Sequence, residues 1–496
     1  MIATVAAAWW VATQDQVFTS TSEIRSIEAG VDGSVGISTS GGMLVRSKDG
    51  VWRKYTTLNG LPNNAVSFSP SDPSGHFVNG RYLYRKEGES WSVAREILLH
   101  HGPGWIRNVR KVSWKGRTLF LNPGELATSD KETRISLPPD SKGTHFSAAT
   151  SNGASIWAAV YGDGIWTYDG KAWKKIQAPQ GIELTDVTFL FRERGVLWVG
   201  TRRGGAYEVT SEGWNPVPRS SEPAAHQVHS LAWNGGSIYV GTANDGIVSY
   251  DGKAWAHATT PAISSNAPGS LYAWGSELVV GQGSAGLDRF AAGKWTSRAF
   301  AEGMPKRGAF FFASEANRLF VSQVGGWSEF DGTSWTAHLN EPDLQNMAPT
   351  ALLPFQGKVW IGTQGKGLAE ADTATRKLRW SAENAGFKDD WITCLASARG
   401  RVFAGTFTGG CMVYDGVAWS SLDPLTGMHV TDLEEDGKGG LYISTLDNLW
   451  HWTGVEGVQS LGKRHPGVRG GIAALAMSPK GLWVGTNEGI YLLPVP

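Results

Sequence analysis

An all-β repeat fold is what this sequence predicts, and three regularities predict it. A segment of the form Leu-Trp-Val-Gly-Thr recurs from end to end. Aligned on its second residue, it falls at Gly36, Phe77, Phe120, Trp157, Trp198, Tyr239, Val279, Phe320, Trp360, Phe403, Tyr442 and Trp483. Neighbouring positions are 37 to 43 residues apart. Asp-Gly pairs close many units, at Asp49, Asp169, Asp251, Asp331 and Asp415. Helical periodicity is nearly absent. A unit of four short strands cannot bury both faces alone, so about 12 such units must stack around an axis as the blades of a β-propeller.

Within a unit an apolar run comes first, as at 187–191 or 472–476, then a polar glycine turn and the anchor strand. A second glycine turn leads into a third strand, as at 164–168. Asp-Gly then predicts a tight type I′ hairpin. A Trp follows in the fourth strand, at positions such as Trp52, Trp91, Trp173, Trp255, Trp335 and Trp419. The Phe120 and Tyr442 units lack it and read as degenerate. Large aromatics at these positions fit packing between blades. Residues 94–101 hint at a short helical turn.

Single rings hold about four to eight blades. Two rings are therefore expected, 6+6 or 5+7, with a single 12-bladed ring as the alternative. The Pro/Ser-rich tract 259–268 is the expected crossover. This gives one domain of residues 1–258, units one to six with an N-terminal closing strand, and a second of residues 259–496, units seven to twelve. The last unit stops at its third strand, 489–493, and residues 9–13 stand in the register of a missing fourth strand. An open third strand would leave unpaired edge groups, so the N-terminus is expected to close the C-terminal blade. That closure also holds if one ring is inserted in the other.

Lys plus Arg equals Asp plus Glu, 45 each, which argues against nucleic acid as a partner. No apolar run is long enough to span a membrane, so no membrane insertion is expected. The two cysteines, Cys394 and Cys411, fall in the first and third strands of one blade, about 9.5 Å apart at the usual strand spacing. That is too far for a disulfide, and both read as buried thiols.

The stretch Asn59-Gly60-Leu61-Pro62-Asn63-Asn64-Ala65-Val66 and the stretch from Gly481 through Trp483, Thr486 and Gly489 to Tyr491 carry a recognisable pattern. They resemble the two-component-regulator propeller repeat, over about ten of the 12 units. The resemblance implies the periplasmic sensor of bacterial hybrid histidine kinases, here without the kinase part. Some of those sensors detect glycan fragments. It implies a bacterial, extracytoplasmic protein, periplasmic or secreted, with its signal absent from this chain; a cytoplasmic location stays open.

Function should reside on loops gathered at one face of the blades. Residues before the first strands supply Asn64, Asp186, His226, His229, Asp389, Trp391, His429, Asp432 and Arg469. Mixed aromatics, amides and carboxylates suit a glycan, a peptide or a protein partner. His226 and His229 are three apart in an extended segment and need not converge, so neither metal nor cofactor is expected. No Gly-x-Ser-x-Gly elbow or Ser/His/Asp set is evident. Ser47 to Trp52 resembles an Asp-box of sialidase-like propellers, without a clear second copy. A non-catalytic binding or sensor scaffold is expected, then a structural platform in a larger bacterial complex, then a propeller-type lyase or glycosidase.

Overall fold

The computed structural model describes residues 14–495 apart from 30–32, 66–75, 80–81, 97–110, 221, 223–226, 298–302, 306–307, 340, 373–377, 381–388 and 455–456. The described chain is all β, with two single-turn 3-10 segments, Thr57–Asn59 and Pro342–Leu344. It forms eleven four-stranded antiparallel sheets and one, at 76–96, in which three strands are described. No described helix is long and apolar enough to cross a membrane.

The chain divides into two compact units, Thr19–Ala224 and Met1–Phe18 with Ala225–Pro496. The first holds five sheets and the second seven, so the 5+7 arrangement is the one adopted. The smaller unit is inserted in the larger one after Phe18. The expected boundary between residues 258 and 259 falls inside the larger unit. Residues 259–268 merely join two of its sheets, with Ile263 buried among Ile247, Leu271 and Leu278.

In the smaller unit the first sheet packs on the fifth, burying Ile24, Ile37, Trp198 and Val217 together. In the larger unit the last sheet returns to the first through Val228, Leu231, Trp483 and Ile490. Its closing strand is Gln16–Phe18, paired antiparallel with Gly489–Leu493. N-terminal closure therefore holds, but with Phe18 opposite Ile490. The expected strand, 9–13, lies outside the described residues.

The Gly-Thr of each unit has a steric and a polar reason. The glycine stands where the next sheet's first strand crosses: a Cβ at Gly200 would lie 2.5 Å from Ile24, and one at Gly362 2.7 Å from Ile392. The threonine ends the second strand and donates its hydroxyl across the following turn. Thr242 donates to Gly246, Thr363 to Gly367 and Thr406 to Gly410, each at 2.8 Å.

The Asp-Gly turns are not two-residue type I′ turns. Tyr168 pairs with Trp173 and Tyr414 with Trp419, leaving four residues between. Asp169 and Asp415 each accept two main-chain N–H groups with Oδ1, at 2.8–2.9 Å. The glycine alone takes positive φ, 101° at Gly170 and 100° at Gly416. The flanking rings then meet, with centroids 4.9 Å apart for Tyr168 and Trp173. Both units expected to be degenerate keep a fourth strand, Arg134–Ser136 and Val458–Ser460. Residues 94–96 end a strand, Ser90–Glu96, and the rest of the expected helical turn lies outside the described residues.

A further regularity was not visible in the repeat. Hydroxyls on first strands bridge to the main chain of the next first strand. Ser147 donates to Val187 O, Thr188 to Ile24 O, Thr350 to Ile392 O and Thr393 to Val430 O, at 2.6–2.9 Å. These strands form the inner edge of the sheets, where main-chain groups would otherwise lack partners.

Candidate functional site

The nine residues expected at one loop face are shared between the two units. Asn64 and Asp186 belong to the smaller one. Asn64 is fully buried, its Oδ1 accepting from Thr57 N at 2.9 Å. It serves its own loop, as does Asn59, whose Oδ1 accepts from Thr56 N at 3.0 Å. Asp186 is half-buried beside the turn of Arg202 and Arg203. Desolvation raises its carboxyl above the usual value against the pull of both arginines. His226 lies outside the described residues, and His229 is exposed on the strand Val228–Asn234.

In the larger unit the structure brings Asp389, Trp391 and His429 together. Two glycine turns pin residues 389–391. From the preceding sheet, Gly365 N and Gly367 N donate to Asp390 O at 2.8 and 2.7 Å. From their own sheet, Phe407 N donates to Trp391 O at 3.0 Å. Asp389 fixes the second turn. Its Oδ2 accepts from Thr408 N, from the Thr408 hydroxyl at 2.9 Å and from Gly409 N at 3.1 Å; Oδ1 accepts from Trp391 N at 3.0 Å. Desolvation opposes ionisation here, but these donors outweigh it and hold the carboxyl below its usual range.

The result is a rigid aromatic stack. Trp391 lies parallel to Phe407, with centroids 4.3 Å apart and planes 10° apart. His429 leans on the other ring contact of Phe407, at 4.5 Å and 53°. Desolvation lowers the His429 pKa against the charge of Asp389, so its imidazole is neutral at pH 7. Phe407 is 37% exposed. In the next sheet the same register, the first residue after the threonine cap, holds Leu446, 51% exposed. In the smaller unit it holds Tyr161, stacked on His145 at 5.2 Å.

None of these three was singled out from the sequence. The residue four after the anchor is polar in some units, as at Arg202, Gln364 and Asn487, but small or apolar in others, as at Ala243 and Val324, so its type alone did not mark these three.

Asp432 is elsewhere, on the inner strand Val430–Glu435. Its Oδ2 accepts from Leu475 N at 2.8 Å, and Glu434 Oε1 accepts from Met477 N at 2.7 Å. These carboxylates accept from main-chain N–H groups at the edge of the next sheet, where hydroxyls of other first strands instead donate to carbonyls. Desolvation pushes Asp432 up to about 6 and Glu434 up to about 8. Arg469 is exposed at the rim of an open cleft between the last two sheets, lined also by Asp447, Asn448 and His465.

Cys394 and Cys411 flank Gly405 on neighbouring strands, and both are free thiols. Burial pushes Cys411 up to about 12 and Cys394 well above its usual value, which keeps both protonated and poorly nucleophilic. Among the described residues no group of three or more His, Cys, Asp or Glu side chains could hold a metal ion. What the aromatic site offers is a preformed surface: flat rings, a neutral imidazole and a carboxylate already spent on loop geometry.

No family model matches the chain, and no curated protein matches it. Solved structures do. PorZ, a bacterial surface component of the type-IX secretion system of Porphyromonas gingivalis, aligns at 14% identity over 95% of this chain and 80% of that one, with a TM-score of 0.59. The extracellular domain assigned to a hybrid two-component system of B. thetaiotaomicron aligns at 16% identity over 95% of this chain and 68% of that one, with a TM-score of 0.49. At such identities the likeness speaks for fold alone, and it is the likeness of a multi-blade β-propeller.

Proposed function

We propose that the chain is a non-catalytic binding scaffold whose seven-sheet unit holds a glycan, peptide or protein partner on the loops around Phe407. One observation carries this reading: an exposed ring, stacked on Trp391 and locked by four donors to Asp389, is ready to bind without reordering. Rigid aromatics contribute contact area at small entropic cost. A periplasmic or secreted location accords with the surface and extracellular proteins of similar fold. The buried carboxylates Asp432 and Glu434 are engaged by main-chain amides, which argues against their use as a general acid and base.

A photo-crosslinking phenylalanine analogue placed at position 407 tests the reading. Crosslinked partners or glycans should be lost when Trp391 is changed to Ala. Equal capture by a probe at the exposed Val417, in a hairpin turn of the same sheet, would overturn it.

A further inference from the structure

The segment joining the last two sheets of the larger unit reads Leu461-Gly-Lys-Arg-His-Pro-Gly-Val-Arg469. It puts Lys463, Arg464, His465 and Arg469 within seven residues of a chain whose net charge is zero. The segment is ordered by its own main chain: Arg464 N and His465 N donate to Leu461 O at 2.9 and 3.0 Å, and Val468 N to His465 O at 3.2 Å. His465 is buried, and its Nδ1 meets Asp15 Oδ1 at 2.7 Å, which ties the segment to the chain just before the closing strand. Lys463, Arg464 and Arg469 are exposed, and none forms an ion pair with a described residue. Folded cations left without carboxylates are a charge awaiting a partner.

Beside them runs the cleft. Arg469, His465 and Asn448 give it a polar side, and the buried Leu449, Leu461 and Ile472 close its floor. Among the described residues its lining holds no Phe, Tyr or Trp. Sugars are held best on the broad faces of such rings, which this cleft does not offer. One acid, Asp447, stands at the rim, exposed and accepting from the Thr445 hydroxyl at 3.3 Å.

We infer that this cleft takes a short acidic peptide segment of a partner, its carboxylates on Arg469, Lys463 and Arg464. The inference deepens the proposed binding role, but it stands on residues separate from the Phe407 stack. Either can fail alone.

Fluorescence anisotropy with a labelled (Glu-Leu)3 peptide on the full chain tests it. The peptide should bind, and (Gln-Leu)3 should bind at least tenfold more weakly. Arg469→Glu, and separately the pair Lys463→Glu and Arg464→Glu, should each weaken binding at least tenfold with unchanged circular dichroism. Asp447→Asn, which removes the opposing charge, should tighten it. Phe407→Ala should leave this binding unchanged, which separates its failure from that of the Phe407 reading. No binding, equal binding of (Gln-Leu)3, indifference to the charge reversals, or stronger competition by trigalacturonate than by unlabelled (Glu-Leu)3 would overturn the inference.

Discussion

Gly405 and Val430 meet across the seam between two neighbouring sheets of the larger unit: a Cβ on residue 405 would lie 2.7 Å from Val430 Cγ1. The second strand of one sheet and the first strand of the next are thus too close for any side chain at 405, which would also meet Cys394 Sγ of its own sheet. The same relationship joins Gly241 to Leu271, at 2.6 Å. Overpacking of this kind typically costs about 1–3 kcal/mol. Gly405→Ala should lower the denaturant midpoint accordingly. Val430→Ala in that background should restore part of the loss, because the two residues share one space. Strict additivity in the double-mutant cycle would refute the steric account.

This seam also shows what the sequence could reveal. The Gly-Thr pair was legible because one packing constraint acts at seam after seam and leaves the same two letters each time. The place where one unit ends was not legible. Phe18 to Thr19 and Ala224 to Ala225 fall in connections between sheets, and the anchors Trp198 and Tyr239 keep the ordinary spacing across the second. An insertion at a sheet-to-sheet connection costs no break in period. The closing strand was read as a Trp-bearing segment by extrapolation, whereas Phe18 fills the aromatic slot. Asp389, Trp391 and His429, which the structure brings together, were singled out because their types stood out. Phe407 was missed because its register is mixed, from Arg202 and Gln364 to Val324 and Leu446, so no pattern flagged it. Asn64 stood out for the converse reason: it is a polar residue, but it is fully buried and its Oδ1 accepts from Thr57 N in its own loop.

Asp389 holds the 406–410 turn through four donors, and burial of that turn is only partial. Removing the carboxylate leaves those N–H groups to water. Asp389→Ala should therefore speed amide exchange at Thr408 and Gly409 at least tenfold, with little change in global stability. Asp389→Asn retains an acceptor and should fall between. Exchange equal to wild type in the Ala variant would show that the turn holds itself.

Glu434 predicts a pH dependence of the larger unit. Desolvation raises its carboxyl from 4.5 to about 8. The folded state therefore binds this proton more tightly than the unfolded chain does. Its contribution to stability is full below about pH 4.5 and is lost as pH rises through 8. Asp432, raised from 3.8 to about 6, acts in the same direction over a lower window. Each unit of displacement corresponds to about 1.4 kcal/mol. Thermal unfolding should thus move to lower temperature between pH 6 and 8.5. Glu434→Gln keeps the carbonyl that accepts from Met477 N and removes the titration. It should flatten that slope and be more stable than wild type at pH 8.5. A wild-type slope in this variant would place the titration elsewhere.

Phe18 makes the last prediction, on closure of the seven-sheet unit. Its strand supplies the fourth place in the final sheet, with Gln16, Val17 and Phe18 opposite Leu492, Tyr491 and Ile490. Its ring reaches further. It stacks on Trp483 of the same sheet, with centroids 5.6 Å apart and planes at 28°. It also touches Tyr250 and Trp255 of the first sheet, at 5.4 and 5.5 Å. One side chain therefore binds the last sheet to the first, where the contacts are separated by more than 200 residues of chain. Full truncation of a buried Phe costs about 3–5 kcal/mol. Phe18 is only half-buried, so Phe18→Ala should cost about 2–3 kcal/mol, below the cost of a fully buried ring. The loss should be local in its first effect: amide exchange should accelerate in Gly481–Thr486 and Gly489–Leu493 and in Ile247–Tyr250. Strands of the smaller unit, such as Val196–Thr201, should keep their protection. Phe18→Leu should recover much of the area but not the stacking on Trp483, and should lie between. Exchange that rises equally in all twelve sheets would mean that Phe18 acts on global stability alone, and that the seven-sheet circuit is not closed at this ring.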